Sequence, residues 1–122
     1  MLVPHVHLKG KSREAIKLYV KAFGATVAML LPAPGQEDLI SHAEIVIHGQ
    51  RLMINDFGGF EGGAKSDGYQ LVVIFDDEEC LKAAYSALEE GSTTVYPMGT
   101  TDYSACVVRF VDRFGVRWAF MV

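Results

Sequence analysis

A chain of 122 residues is long enough for one domain with a real core and too short for two independent ones. Half of its residues are hydrophobic and 21% are charged, the balance of a globular protein rather than a disordered one. A net charge of -4 lacks the basic surface that neutralises phosphates, which argues against nucleic acid and against an anionic membrane as partners.

Residues 3–8 are predicted as a strand, because Val6 and Leu8 alternate with His5 and His7. Ser12 is then expected to cap a helix whose apolar face is Ile16, Tyr19, Val20 and Phe23, with Gly24 as its stop. Three strands follow, at 26–31, 40–48 and 51–55. The segment PAPGQED reads as a loop between the first two, and Gly49 and Gln50 as the hairpin turn before the third. After Asp56 the composition changes to FGGFEGGAKSDG, a glycine-rich linker. Glycines 58, 59, 62 and 63, with Phe57 and Phe60 among them, suit a plain flexible connection or a flap.

The same grammar then returns. The strand YQLVVIF precedes a helix opened by a capping box at Asp76 and Glu79, carrying Leu81, Ala84, Tyr85 and Leu88, and closed by Gly91. Strands are predicted around 93–96, 106–111 and 116–121, with the turn DRFG between the last two. An offset of 65 lays Ile16 on Leu81, Val20 on Tyr85 and Phe23 on Leu88, the mark of an internal duplication. The expected architecture is α+β: one domain over 1–122, built of module one (1–56), a linker (57–68) and module two (69–122). Each module is a βαβββ unit, and the two curve as a mixed sheet around a cup.

The opening has no basic segment followed by an apolar run, and no apolar stretch reaches membrane-spanning length. Two cysteines, Cys80 and Cys106, have neither disulfide-framework nor metal-ligand spacing. A cytoplasmic protein with reduced thiols is expected.

The segments PHVHLKG and EAIKLYVKAFGA, then ISHAEIVIHG, LMIND and DRFGVRW, in this order, resemble the vicinal oxygen chelate superfamily of glyoxalases, bleomycin-resistance proteins and extradiol dioxygenases. The resemblance covers the whole chain and is nearest to the PhnB-like branch. It implies small-molecule binding in the cup and a homodimer. The methyltransferase label often attached to that branch finds no support, since no glycine-rich nucleotide turn links a strand to a helix.

In metal-dependent members of the superfamily the ion is held from the first and last strands of each half. Carried over, those positions fall on His5, Ile54, Gln70 and Ala119, of which only His5 is a good ligand. Neither a metal nor another cofactor is therefore expected there.

His5 and His7 share one strand face, and His42, Glu44 and His48 share another by the same alternation. If those strands lie close, His5, His7, His42 and Glu44 form a polar cluster able to bind a ligand, to exchange protons or to hold a relocated metal. The plain alternative is a set of hydrogen-bonded polar residues on an open sheet face. Asp56 either orients a ligand or caps a turn. Gln70 is expected to face the cup as a hydrogen-bonding amide, with Ile54 and Ala119 as its apolar wall. The leading reading is a metal-free binding protein for a compact small molecule. The alternative is a metal-dependent lyase, isomerase or dioxygenase with a relocated site.

Overall fold

In chain order, strand β1 (His5–His7) leads into helix α1 (Ser12–Phe23) and strands β2 (Thr26–Ala33), β3 (Gln36–Ile47) and β4 (Gln50–Asn55). The series then repeats as β5 (Leu71–Ile74), α2 (Glu78–Leu88), β6 (Thr93–Gly99), β7 (Val107–Val111) and β8 (Arg117–Met121). The structure, a computed structural model, describes residues 1–58 and 68–122. Most of the expected linker, including Gly59, Phe60, Gly62 and Gly63, lies outside the described residues.

The duplication is visible in the strand order. One four-stranded sheet runs β1-β4-β3-β2 and the other β5-β8-β7-β6. In each, the first and last strands of the series pair in parallel while the remaining neighbours are antiparallel. The chain divides into two compact units, 1–64 and 65–122. Two tandem βαβββ modules are thus present, and the fold is α+β.

Each helix covers one face of its own sheet. In module one Ala15, Ile16, Tyr19 and Phe23 are buried, as are Leu52, Ile54, Ala43, Ile45 and Ile47 of the sheet. Val20, placed on the buried face from sequence, is 37% exposed at the edge of the stripe. In module two Leu81, Ala84 and Leu88 of α2 are buried, and Tyr85 meets Phe110 of β7 edge to face at 5.0 Å. Phe120 stacks at 5.0 Å on both Phe110 and Phe75, so the helix-covered core of this module is largely aromatic.

Several local expectations are corrected. The PAPGQED segment is mostly strand: β2 and β3 run to Ala33 and from Gln36, leaving only Pro34 and Gly35 as the turn. The next hairpin turns at His48 and Gly49, both with positive φ (47° and 81°), which matches the primed turn that strand twist favours. Helix α2 is capped by Asp77, whose carboxylate accepts from Cys80 N at 2.8 Å, one residue later than the Asp76 reading. Gly24, by contrast, ends α1 as expected, in the left-handed conformation with its N–H on Val20 O.

Ser12 does not cap α1. It lies fully buried inside the first turn, and its hydroxyl and N–H both donate to Asp56 Oδ1, at 2.7 and 3.0 Å. The same oxygen accepts from Gly10 N at 2.7 Å, and Oδ2 accepts from Ile40 N at 2.7 Å. A carboxylate just past the end of β4 therefore satisfies helix-end donors that no local side chain reaches. Asp112 does comparable work in module two, holding the DRFG turn through Phe114 N and Val116 N and fixing the Trp118 indole at 2.8 Å.

Candidate functional site

In a sheet, directly opposed residues share a face. His5 of β1 opposes Met53 of β4, Met53 opposes Glu44 of β3, and Glu44 opposes Met29 of β2, a row across the face that α1 leaves open. His7 opposes Asn55 and His42 opposes Leu31, giving a second row beside it. Although β4 separates β1 from β3, the rings converge: His5 lies 4.6 Å from His7 and 5.9 Å from His42, centroid to centroid. Four of the residues singled out from sequence, His5, His7, His42 and Glu44, are brought together on one face.

The hydrogen bonds fix how this cluster presents itself. Glu44 is occupied at both oxygens, by His42 Nε2 at 2.9 Å and by Arg51 Nε at 3.0 Å. A carboxylate only accepts, so His42 donates from Nε2 and turns Nδ1 outward. His7 Nδ1 lies 2.6 Å from Asn55 Oδ1 and donates to it, which leaves Nε2 outside that bond. Desolvation, reinforced by the neighbouring His7 and His42, holds the His5 pKa below the ordinary 6.5. His5 is accordingly neutral at pH 7 and keeps a basic nitrogen.

The remaining candidates lie elsewhere. Ile54 pairs with Val6 and is fully buried on the helix-covered face, so it does not share the face of His5. The place opposite His5 is held by Met53. Asp56 is buried and consumed by the anchoring bonds described above, which makes its role structural. Burial alone would raise its pKa, but the donors from Ser12, Ile40 and Gly10 outweigh it and hold the carboxyl below 3.8. Gln70 is exposed and precedes β5 rather than pointing from it. The bond Leu8 N to Asn55 O recurs as Phe75 N to Met121 O, which makes His7 correspond to Ile74 and His5 to Val72, not to Gln70. Ala119 opposes Val72 and Arg109 on the face away from α2 and is fully buried. His48 sits exposed in its turn rather than with His42 and Glu44.

Arg51 and Asn55 were not singled out from sequence, and Gly58 was named only as part of the glycine-rich linker. The first two follow from alternation along β4 once its parallel register with β1 is known. The approach of Gly58 to His7 follows from nothing local: its φ is +89°, and a Cβ there would stand 3.1 Å from the His7 ring.

The metal implied by the superfamily does not suit these residues. The open-face positions on the paired first and last strands are His5, His7, Met53 and Asn55 in module one, and Val72, Ile74, Ala119 and Met121 in module two. The second set has no nitrogen or oxygen donor on a side chain. Among the described residues, no three or more His, Cys, Asp or Glu are placed to hold a metal ion. The thiols are not activated nucleophiles either, because Asp77 raises the Cys80 pKa and burial raises that of Cys106.

Among solved structures, the chain is similar to a PhnB protein from Bacillus cereus, with 22% identity, 98% of this chain and 97% of that one covered, and a TM-score of 0.86. Protein PA1353 from Pseudomonas aeruginosa gives 29% identity, 99% and 96% coverage, and 0.86. TioX from Micromonospora sp. ML1 gives 22%, 98% and 93%, and 0.67. No curated protein matches. Residues 8–120 match the family model described as Glyoxalase/Bleomycin resistance protein/Dioxygenase superfamily, and with that match over nearly its whole length the chain belongs to this superfamily.

Proposed function

We propose that this PhnB-like protein binds a small molecule at the imidazole cluster of module one, without the metal centre typical of its superfamily. The observation that carries the reading is the convergence of His5, His7 and His42, in which Asn55 and Glu44 each hold one ring nitrogen of His7 and His42 and leave the other nitrogen of each ring outside those bonds. Sites of this kind set a few convergent polar groups on an apolar wall, here Met53, Met29 and Leu31. The acceptor nitrogen of neutral His5 selects a donor, so the ligand is a compact molecule with an apolar or aromatic body and a hydroxyl or N–H to give. A metal-dependent lyase, isomerase or dioxygenase is not favoured, as Glu44 is already spent on Arg51 and His42.

A thermal-shift screen of small phenols, alcohols and amines against wild type, His5→Ala, His42→Ala and Ile54→Ala tests this. A binding compound should raise the wild-type melting temperature, and its effect should be lost in both histidine variants, each lost hydrogen bond costing about 1–3 kcal/mol. Ile54→Ala should melt lower by about 2–5 kcal/mol of stability yet keep the ligand response, as a core residue would. Failure of every compound, or histidine variants that only melt lower, removes the reading.

We further propose that the protein is a homodimer in the cytoplasm. Edge strand β5 leaves Val72 and Ile74 49% and 66% exposed, apolar surface that a second copy would cover. Both cysteines are free, and no helix among the described residues is long and apolar enough to cross a membrane. Light scattering at micromolar concentration should return twice the chain mass; the mass of one chain contradicts the dimer.

A further inference from the structure

The open face of module two carries a cation that no carboxylate among the described residues neutralises. Arg109 of β7 opposes Ala119 of β8 and Tyr96 of β6, and by alternation with Phe110, which meets α2, it points away from the helix. Its guanidinium lies over the Tyr96 ring at 5.7 Å, and its Nη2 donates to Tyr103 Oη at 3.0 Å. Its Nε is buried and has no hydrogen-bond partner, and among the described residues no carboxylate pairs with it.

A guanidinium stays charged at any physiological pH, and a buried N–H on it left without an acceptor is costly. Among the described residues, the only other charged strand residue on this face is again a cation, Arg117, which opposes Val111. Val107 and Ala119 on the same strands are fully buried and apolar, so the surroundings of the cation have few polar groups. Tyr96 and Tyr103 are 42% and 61% exposed, so the guanidinium stands beside two accessible aromatic rings.

We infer that Arg109 is the anchor of a second recognition site, one that takes the carboxylate of a small organic acid with an apolar or aromatic body. Nε is buried in the unliganded chain, so the side chains over it must shift for a carboxylate oxygen to accept from Nε–H in the plane of the guanidinium, while the face of the cation stays on Tyr96. Phosphate suits the site less well, because a strongly hydrated dianion needs more donors than one free N–H edge beside apolar side chains supplies. The inference is independent of the imidazole cluster, since it rests on module two alone.

The test uses full-length protein with 15N-labelled arginine, observed through its side-chain Nε–H resonances at constant ionic strength and pH 7. Titration with sodium benzoate should move one resonance saturably, and that resonance should be the one missing from the Arg109→Lys spectrum. Benzamide, the same shape without the charge, should bind at least tenfold more weakly. Arg109→Lys and Arg109→Met should each lose at least tenfold in benzoate affinity at an unchanged far-UV spectrum. If either variant does not fold, the benzoate and benzamide titrations of wild type decide alone. No saturable shift with benzoate, an equal response to benzamide, or wild-type affinity in Arg109→Lys overturns the site.

Discussion

At the scale of single residues, the imidazoles of module one owe their character to their neighbours. His7 and His42 are oriented by Asn55 and Glu44, and His5 is kept neutral by desolvation and by the two other rings. A histidine whose folded pKa lies below 6.5 opposes folding when it must be protonated. Its stabilising effect is therefore complete above pH 6.5 and is lost as the pH falls from there towards the folded pKa, where the unfolded chain binds the extra proton. Wild-type stability should decline across that acidic window more steeply than that of His5→Gln, as measured by urea unfolding at a series of pH values. Parallel curves would mean that His5 is not perturbed. The three histidines and Glu44 were legible in the sequence because alternation alone assigns residues to strand faces. Their orienting partners were not, since Arg51 and Asn55 join them only through the pairing of β4 with β1 and β3, which no local pattern encodes.

At the scale of elements, Asp56 connects the end of β4, the start of α1 and the backbone at Ile40 through four hydrogen bonds to one carboxylate. Sequence could weigh a ligand role against a turn cap, but the donors lie between 16 and 46 residues away, beyond any capping motif. Asp56→Asn replaces one accepting oxygen with a donor group facing other donors and should cost about 2–3 kcal/mol in stability. The wild-type contribution should fade as the pH drops below 3.8 towards the lowered folded value, whereas Asp56→Asn should show no such fading. A variant as stable as wild type at pH 7 would rule out the anchor. The error over Ile54 belongs to this scale too. Position 54 was matched to His5 by analogy, but the parallel register sets Met53 opposite His5, and a slip of one residue turns a side chain to the other face.

At the scale of the whole molecule, the duplication was the most legible feature, because a helix face recurring at fixed offset survives divergence that erases individual residues. The identical strand orders of the two sheets bear it out. What the repeat conceals is divergence of the open faces: module one presents imidazoles and a neutralised glutamate, while the corresponding strands of module two present Val72, Ile74, Ala119 and Arg109. On their open face, β5 and β8 carry Val72, Ile74, Ala119 and Met121, none of which has a side-chain nitrogen or oxygen to offer a metal. The central claim is thus metal-free ligand recognition by His5, His7 and His42. It is tested most directly by imidazole 1H–15N NMR of the chelator-treated protein, titrated with the most stabilising compound of the thermal screen. The account predicts saturable shifts at these three histidines, with His48 unmoved and no change when divalent metal is restored. Shifts that appear only after metal is added, or that spare all three rings, would contradict it.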